Sequence, residues 1–354
     1  MRRALGSGAL AAALFMLTLT LTILPQRIFS IEVDYVKGDV SFNHLQDGWK
    51  AVKTGQELGP GDMIRTGAAS EASLVDEGML INVMEKSTFT VAEKYTNDEK
   101  KESFMLFLGR MKFKLARSGK GEPEVSTQTV NLTIRGTDFE IGSGYDGSTI
   151  VLLSEGAVAV AGAALGPSQG AASELLLEGG EGTEIPFGGE PTTKFQVMTK
   201  LIDWDRWFTF SKEAIKGNEA DLLARILVRF ERIRDEIKGY EETKSSSLRE
   251  KEEQIRRRDE MQRQGKKEEA AEFSQLAAQK SKIAFHSTVN IRFLALSSIG
   301  LFDLATGVYS SVAKPLRDLT GTFETIKSIF RDIESKYLLK GDRERLEKKA
   351  KKKR

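Results

Sequence analysis

The sequence has no cysteine in 354 residues and only two histidines, His44 and His286. The first absence excludes disulfide scaffolds, thiolate metal sites, iron–sulfur clusters and thiol nucleophiles together. The second leaves any multi-histidine metal site or histidine-driven triad dependent on two residues far apart in the chain. Neither a G-x-x-x-x-G-K-[ST] phosphate loop nor an H-E-x-x-H zinc helix occurs. No catalytic residues, cofactor, metal or nucleic-acid partner are therefore expected. Carboxylates are plentiful, so a carboxylate pair for glycan cleavage is the one enzymatic alternative.

The net charge of +2 conceals a division. Residues 1–30 carry +3, residues 31–200 carry −9 and residues 201–354 carry +8. The basic end, Lys348-Lys349-Ala350-Lys351-Lys352-Lys353-Arg354, reads either as a solvated helix end or as a contact for an anionic surface.

Long apolar runs are also scarce, with one exception at the start. Arg2-Arg3 precede an uncharged run from Ala4 to Gln26. A bilayer core takes about 20 apolar helical residues and a signal-peptide core about 7 to 15, so the length favours a membrane anchor over residues 1–30. The alternative is a signal cleaved after Ser30, which lacks the small-residue pattern. The arginine pair places this end in the cytoplasm and the rest of the chain across the inner membrane.

From Ile31 to about Phe195 the apolar residues alternate and glycine punctuates them. Met63–Thr66, Glu71–Val75, Met79–Val83 and Thr88–Val91 read as short strands. Phe104, Leu106 and Leu108, then Gly109-Arg110, then Met111, Phe113 and Leu115, read as a hairpin. Ser126–Ile134, Phe139–Ile141, Thr149–Leu153, Ala157–Ala161 and Leu175–Leu177 continue the series. The expectation is a mainly β domain over 31–195, a sandwich or coiled sheet. In Gly59-Pro60-Gly61-Asp62 a fixed proline φ sits between glycines, and the Asp62 carboxylate can accept from nearby backbone N–H groups. Gly136 reads as a bulge or a place of close approach.

These residues carry a resemblance. Val36-x-Gly38-x-Val40, Trp49, Gly55 with Leu58, Gly61-Asp62-x-Ile64-Arg65-Thr66-Gly67, Gly78, Gly109, Arg135-Gly136-Thr137-x-Phe139, Glu155-Gly156-x-Val158 and Gly179-Gly180-Glu181-Gly182 occur in this order. Over residues 33–191 the chain resembles the FecR-type extracytoplasmic domain. The resemblance implies a β-rich, non-enzymatic periplasmic domain, in a family whose best-known members pass a signal from an outer-membrane receptor to a sigma factor. It marks Gly38, Trp49, Gly61, Asp62, Arg65, Thr66, Gly67, Arg135, Gly136, Thr137, Phe139, Glu155 and Gly156 as structural or partner-contacting positions. Sigma-regulating members carry several tens of cytoplasmic residues before the membrane helix, where Met1-Arg2-Arg3 stand here. Two functions follow as expectations. The first is an anchored envelope module that binds a protein or a cell-wall glycan. The second is a signalling component whose sigma-binding part belongs to a separate partner.

Beyond Pro191 the period changes. Leu222, Ile226, Phe230, Ile233, Ile237 and Tyr240 form one helical stripe, and Asn218 stands at the N-cap position ahead of Glu219–Lys238. Residues 241–272 are almost wholly polar. Leu248 and Ile255 are a heptad apart but Gln262 and Glu269 follow, so this coiled-coil-like stretch is either a long solvated helix or a helix–loop–helix broken at Gly265. Residues 283–313 are expected to pack back on the stripe, Pro315 to end or kink that helix, and Leu319, Phe323, Ile326, Phe330 and Ile333 to add another face. Residues 196–340 are thus a helical region, able to pair with a second copy, and 341–354 a basic tail. Trp204 and Trp207 lie at the junction, where they cap the sheet or stack on a sugar ring.

Overall fold

The computed structural model describes residues 30–338 except 45–47, 77, 116–122, 163–173, 198–201 and 315–316. The expected anchor over 1–30, the stop at Pro315 and the basic tail lie outside the described residues.

Among the described residues the β region contains fifteen strands. They are β1 Ile31–Lys37, β2 Val40–His44, β3 Lys50–Ala51, β4 Glu57–Leu58, β5 Asp62–Thr66, β6 Glu71–Asp76, β7 Met79–Val83 and β8 Thr88–Thr96. The later ones are β9 Glu99–Leu115, β10 Glu124–Ser126, β11 Val130–Ser143, β12 Thr149–Gly162, β13 Glu174–Glu178, β14 Glu181–Ile185 and β15 Phe195–Gln196. The main path runs β15-β14-β12-β11-β10-β9-β7-β6-β1-β4, with β2, β3, β5, β8 and β13 branching from it. Pairing is antiparallel except between β9 and β10.

Three long strands make the branches possible. Residues 99–108 of β9 pair with β8, whereas 109–115 pair with β11 and β7. The hairpin expected at Gly109-Arg110 is therefore not there. Gly109 is a bend inside one continuous strand, at φ +100°, where a Cβ would lie 2.4 Å from the Ser87 Cα. Only glycine fits such an approach at that φ. The two alternating halves matched a hairpin template because a strand that bends and changes partner keeps its period of two. In the same way Phe139–Ile141 is not a separate strand but the end of β11, and Thr149–Leu153 with Ala157–Ala161 forms the single strand β12. Register shifts beside Gly136 bend β11 there, as a bulge.

The inward faces of these strands enclose one core in which Phe89, Phe104, Phe113 and Phe139 are wholly buried. Phe113 stacks on Phe139 with centroids 4.8 Å apart, and Phe104 meets Phe113 edge-on.

Among the described residues four helices follow: α1 Trp204–Glu213, α2 Glu219–Arg263, α3 Lys267–Ser310 and α4 Arg317–Ile333, with a π-helical turn at Glu334–Leu338. Residues 241–272 are helical on both sides of the turn at Gly265, which settles the two readings in favour of a long antiparallel hairpin. Asn218 precedes α2, but its side chain makes no capping bond; the Nδ2 donates backward to the Ala214 carbonyl. The stripe Leu222, Ile226, Phe230, Ile233 and Ile237 packs with Leu294, Ala295, Leu301 and Ala305 of α3 and with Phe323, Ile326 and Phe330 of α4.

This second core also takes in Met63, Ala92, Met105, Phe107 and Phe187 from the outer surface of the sheet. Residues 103–107 of β9 are accordingly buried without interruption, because Phe104 and Leu106 face the first core while Met105 and Phe107 face the helices. Among the described residues α3 is the one helix long and apolar enough to cross a membrane; 56% of its apolar window is buried inside the protein.

Candidate functional site

The motif residues of the sheet fall into two groups. In the first, Gly38 lies against Ser70, whose Oγ accepts from the Asp39 N–H at 2.9 Å. The Gly67 N–H donates to the Asp39 carbonyl at 2.8 Å. The Thr66 hydroxyl donates to the Met84 carbonyl at 2.6 Å and accepts from the Ser87 N–H at 2.9 Å. In the Gly59–Asp62 turn, the Asp62 carboxylate accepts from the Gly59 N–H at 2.8 Å and meets His44 Nδ1 at 2.6 Å. The Arg65 guanidinium lies over the Trp49 ring, 4.3 Å from its centroid. Burial raises the Asp303 carboxyl on α3 above its ordinary value, an effect partly opposed by the Arg65 charge.

The second group is the bulge. Gly156 of β12 packs on the Gly136 carbonyl and Thr137, Thr137 is buried, and Phe139 enters the core. Glu155 is exposed beside Asp138, and the Arg135 side chain lies outside the described residues. Most of these residues fix turns and register.

Trp204 and Trp207 are built differently. Asp203 caps α1 by accepting from the Arg206 N–H at 3.1 Å, which sets both indoles on its first turn. Trp204 presses on Gly142 of β11, where a Cβ would approach the ring to 2.6 Å, so the close contact requires glycine. The Trp207 Nε1 donates to the Glu184 carboxylate on β14 at 2.7 Å. The Tyr145 N–H donates to the Ser211 hydroxyl at 3.2 Å, tying the far end of α1 to the β11–β12 turn.

Between α1 and the sheet a cleft of about 580 Å³ remains open, within the roughly 300–1,000 Å³ usual for small-molecule sites. Trp204, Phe208 and Tyr145 supply aromatic walls. Cations enter from three elements: Lys86 from the turn before β8, Arg110 from β9 and Lys212 from α1. The Arg110 guanidinium lies 4.8 Å from the Trp204 centroid and 3.8 Å from the Glu140 carboxylate. Lys212 stands over Tyr145 at 5.9 Å. Glu85, Asp203 and Asp205 also line the space. A second pocket, of about 30 Å³ beside Gln128 and Arg229, has room for a water molecule and no more. Burial lowers the Arg229 guanidinium from its ordinary value.

Sequence reasoning singled out Trp204 but not Arg110, Tyr145 or Lys212. In sequence Gly109-Arg110 reads as a turn, whereas the alternation Met111, Phe113, Leu115 places Arg110 on the opposite, outward face.

Residues 62–159 match the family described as FecR protein. No curated protein matches the chain. Two crystal structures of a proposed anti-sigma factor from Parabacteroides distasonis are similar over part of their length. Each is 14% identical with a TM-score of 0.30, and the alignment covers 38% of this chain and 59% of theirs. The segment from β5 into β12 thus matches the FecR family, inside the span 33–191 over which the ordered glycine and Arg-Gly-Thr motifs carry the resemblance.

Proposed function

We propose that the chain is a non-catalytic regulatory component of the bacterial envelope. Residues 1–30 anchor it in the inner membrane, the FecR domain and helices stand in the periplasm, and a separate membrane partner supplies the cytoplasmic, sigma-binding part. The supporting observation is the FecR match over 62–159 on strands that share a hydrophobic core with α2, α3 and α4. A domain joined to its neighbour through buried Met63, Met105 and Phe107 changes orientation only together with the helices, which suits the relay of a binding event. Envelope assembly is the second reading, favoured by the aromatic cleft.

A photoreactive residue at the exposed Leu276 of α3, in the full chain in intact cells, tests the proposal. Crosslinks to a membrane protein with a cytoplasmic sigma or anti-sigma domain support it. Crosslinks confined to structural envelope components overturn it in favour of assembly. External protease on spheroplasts should digest an epitope placed after Arg354 while the membranes stay sealed; protection would reject the orientation.

A further inference from the structure

We infer that the cleft between α1 and the sheet binds an uncharged saccharide, a ring with several hydroxyls and no ionised group. Its walls are polar but electrically balanced. Glu85, Asp203 and Asp205 stand against Lys86, Arg110 and Lys212, three charges of each sign. Half of them are already answered: Glu85 accepts from the Ala69 N–H at 2.6 Å, Asp203 accepts from the Arg206 N–H at 3.1 Å, and Arg110 faces Glu140 at 3.8 Å. A ligand of either sign would give up its hydration without meeting a net opposite charge. A hydroxyl suits both sets, because it donates to a carboxylate through its hydrogen and accepts from an ammonium or guanidinium through its lone pairs. Hydrogen bonds with one ionised partner are about twice as strong as neutral ones, so such a lining favours a neutral ligand rich in hydroxyls.

The second observation is the aromatic wall. Trp204, Phe208 and Tyr145 line the cleft and each stays part-exposed. Trp204 is wedged against Gly142, and Phe208 lies 6.2 Å from Trp204 and 6.3 Å from Tyr145 between centroids, so the rings hold one another in place before a ligand arrives. Fixed aromatic surfaces beside convergent polar groups suit a ligand with one flat apolar face and a polar rim. A pyranose ring has both, in its C–H face and its hydroxyls. A linear polyol lacks the face, and a plain aromatic ring lacks the rim.

The site needs no regulatory role, since binding is measured on the isolated full chain and the crosslinking result can fail separately. Calorimetric titration compares cellobiose with three probes: digalacturonate, the cationic glucosamine disaccharide and the zwitterionic dipeptide glycyl-leucine. Cellobiose should bind, and each charged disaccharide about tenfold or more weakly, because half of the wall repels it. The double variant Asp205→Ala/Lys212→Ala removes one acceptor and one donor from exposed positions. It should weaken cellobiose about tenfold or more while leaving circular dichroism unchanged. Phe208→Leu keeps an apolar side chain but removes the flat face, and should weaken cellobiose as well. Absence of cellobiose binding, equal binding of either charged disaccharide, or unaltered affinity in both variants overturns the assignment. Glycyl-leucine binding as tight as cellobiose would make the cleft a peptide site and overturn it too.

Discussion

Single residues decide where this sheet bends. Gly109→Ala would place a methyl against the Ser87 backbone at φ +100°. Strain of about 1 to 3 kcal/mol from the φ alone, with the displacement of Ser87 added, should lower the urea midpoint clearly. A midpoint within error of the parent would show that the bend does not need glycine. Glu181 offers a pH test. The Lys194 ammonium at 2.9 Å and then the Glu178 N–H at 2.8 Å hold its carboxyl below the ordinary value. A carboxyl depressed by folding contributes stability above its unfolded pKa and loses it as pH falls through the folded one. Glu181→Gln should therefore narrow the difference in denaturant midpoint between neutral and strongly acidic pH. An unchanged acid branch would mean that the pair contributes nothing.

At the level of elements, the tip of the β8–β9 hairpin is clasped by α3. The Asn290 Oδ1 accepts from the Tyr95 N–H at 2.7 Å and its Nδ2 donates to the Tyr95 carbonyl at 2.9 Å. His286 stacks on the Tyr95 ring at 3.8 Å and meets Asp98 at 3.1 Å. Asn290→Ala leaves two part-buried backbone groups without these partners, a cost of about 1 to 3 kcal/mol. Amide exchange at Tyr95 should quicken while the core strands stay protected; uniform exchange across the chain would show the hairpin tip to be no separate unit. Trp204→Ala with Trp207→Ala should increase proteolysis near residue 200 and leave the β-sheet signal intact, and loss of that signal would make α1 part of the sheet's own fold. Strands with one wet face, such as β6 and β7, were legible from alternation, and the stripe of α2 from its period. The change of partner along β9 was not legible. Burial on both faces makes Ser103–Phe107 an unbroken inward run, and only the neighbours reveal which residue serves which core. The cleft was half legible, because Trp204 stands out in sequence while Arg110 and Lys212 reach it from elements far apart in the chain.

For the whole molecule, the shared core governs what can be cut away. A fragment ending near Pro191 keeps Phe89, Phe104, Phe113 and Phe139 enclosed but opens Met105, Phe107 and Phe187 to water. Such side chains contribute about 1.5 to 3 kcal/mol each when fully buried, so the fragment should unfold cooperatively at a clearly lower denaturant midpoint than the full chain and bind an apolar dye. Equal midpoints would show that the second core adds nothing to the sheet. In the full chain, Phe230→Ala should cost about 3 to 5 kcal/mol and lower the unfolding of helices and sheet together, as followed by circular dichroism at two wavelengths. Two separated transitions would mean that the units are energetically independent.

The polar hairpin beyond Gly239 has a mechanical consequence. From there to Gly265 its helices hold each other through pairs such as Lys280 with Glu250 and Lys251 with Ser281, while the apolar anchorage ends near Tyr240. Some 25 residues at 1.5 Å each make a lever about 37 Å long, and a tilt of about 10° at its base sweeps the tip through about 6 Å. A displacement too small to disturb the packing of Phe230 would thus become, at Gly265, a step larger than the spacing of about 4.8 Å between neighbouring strands.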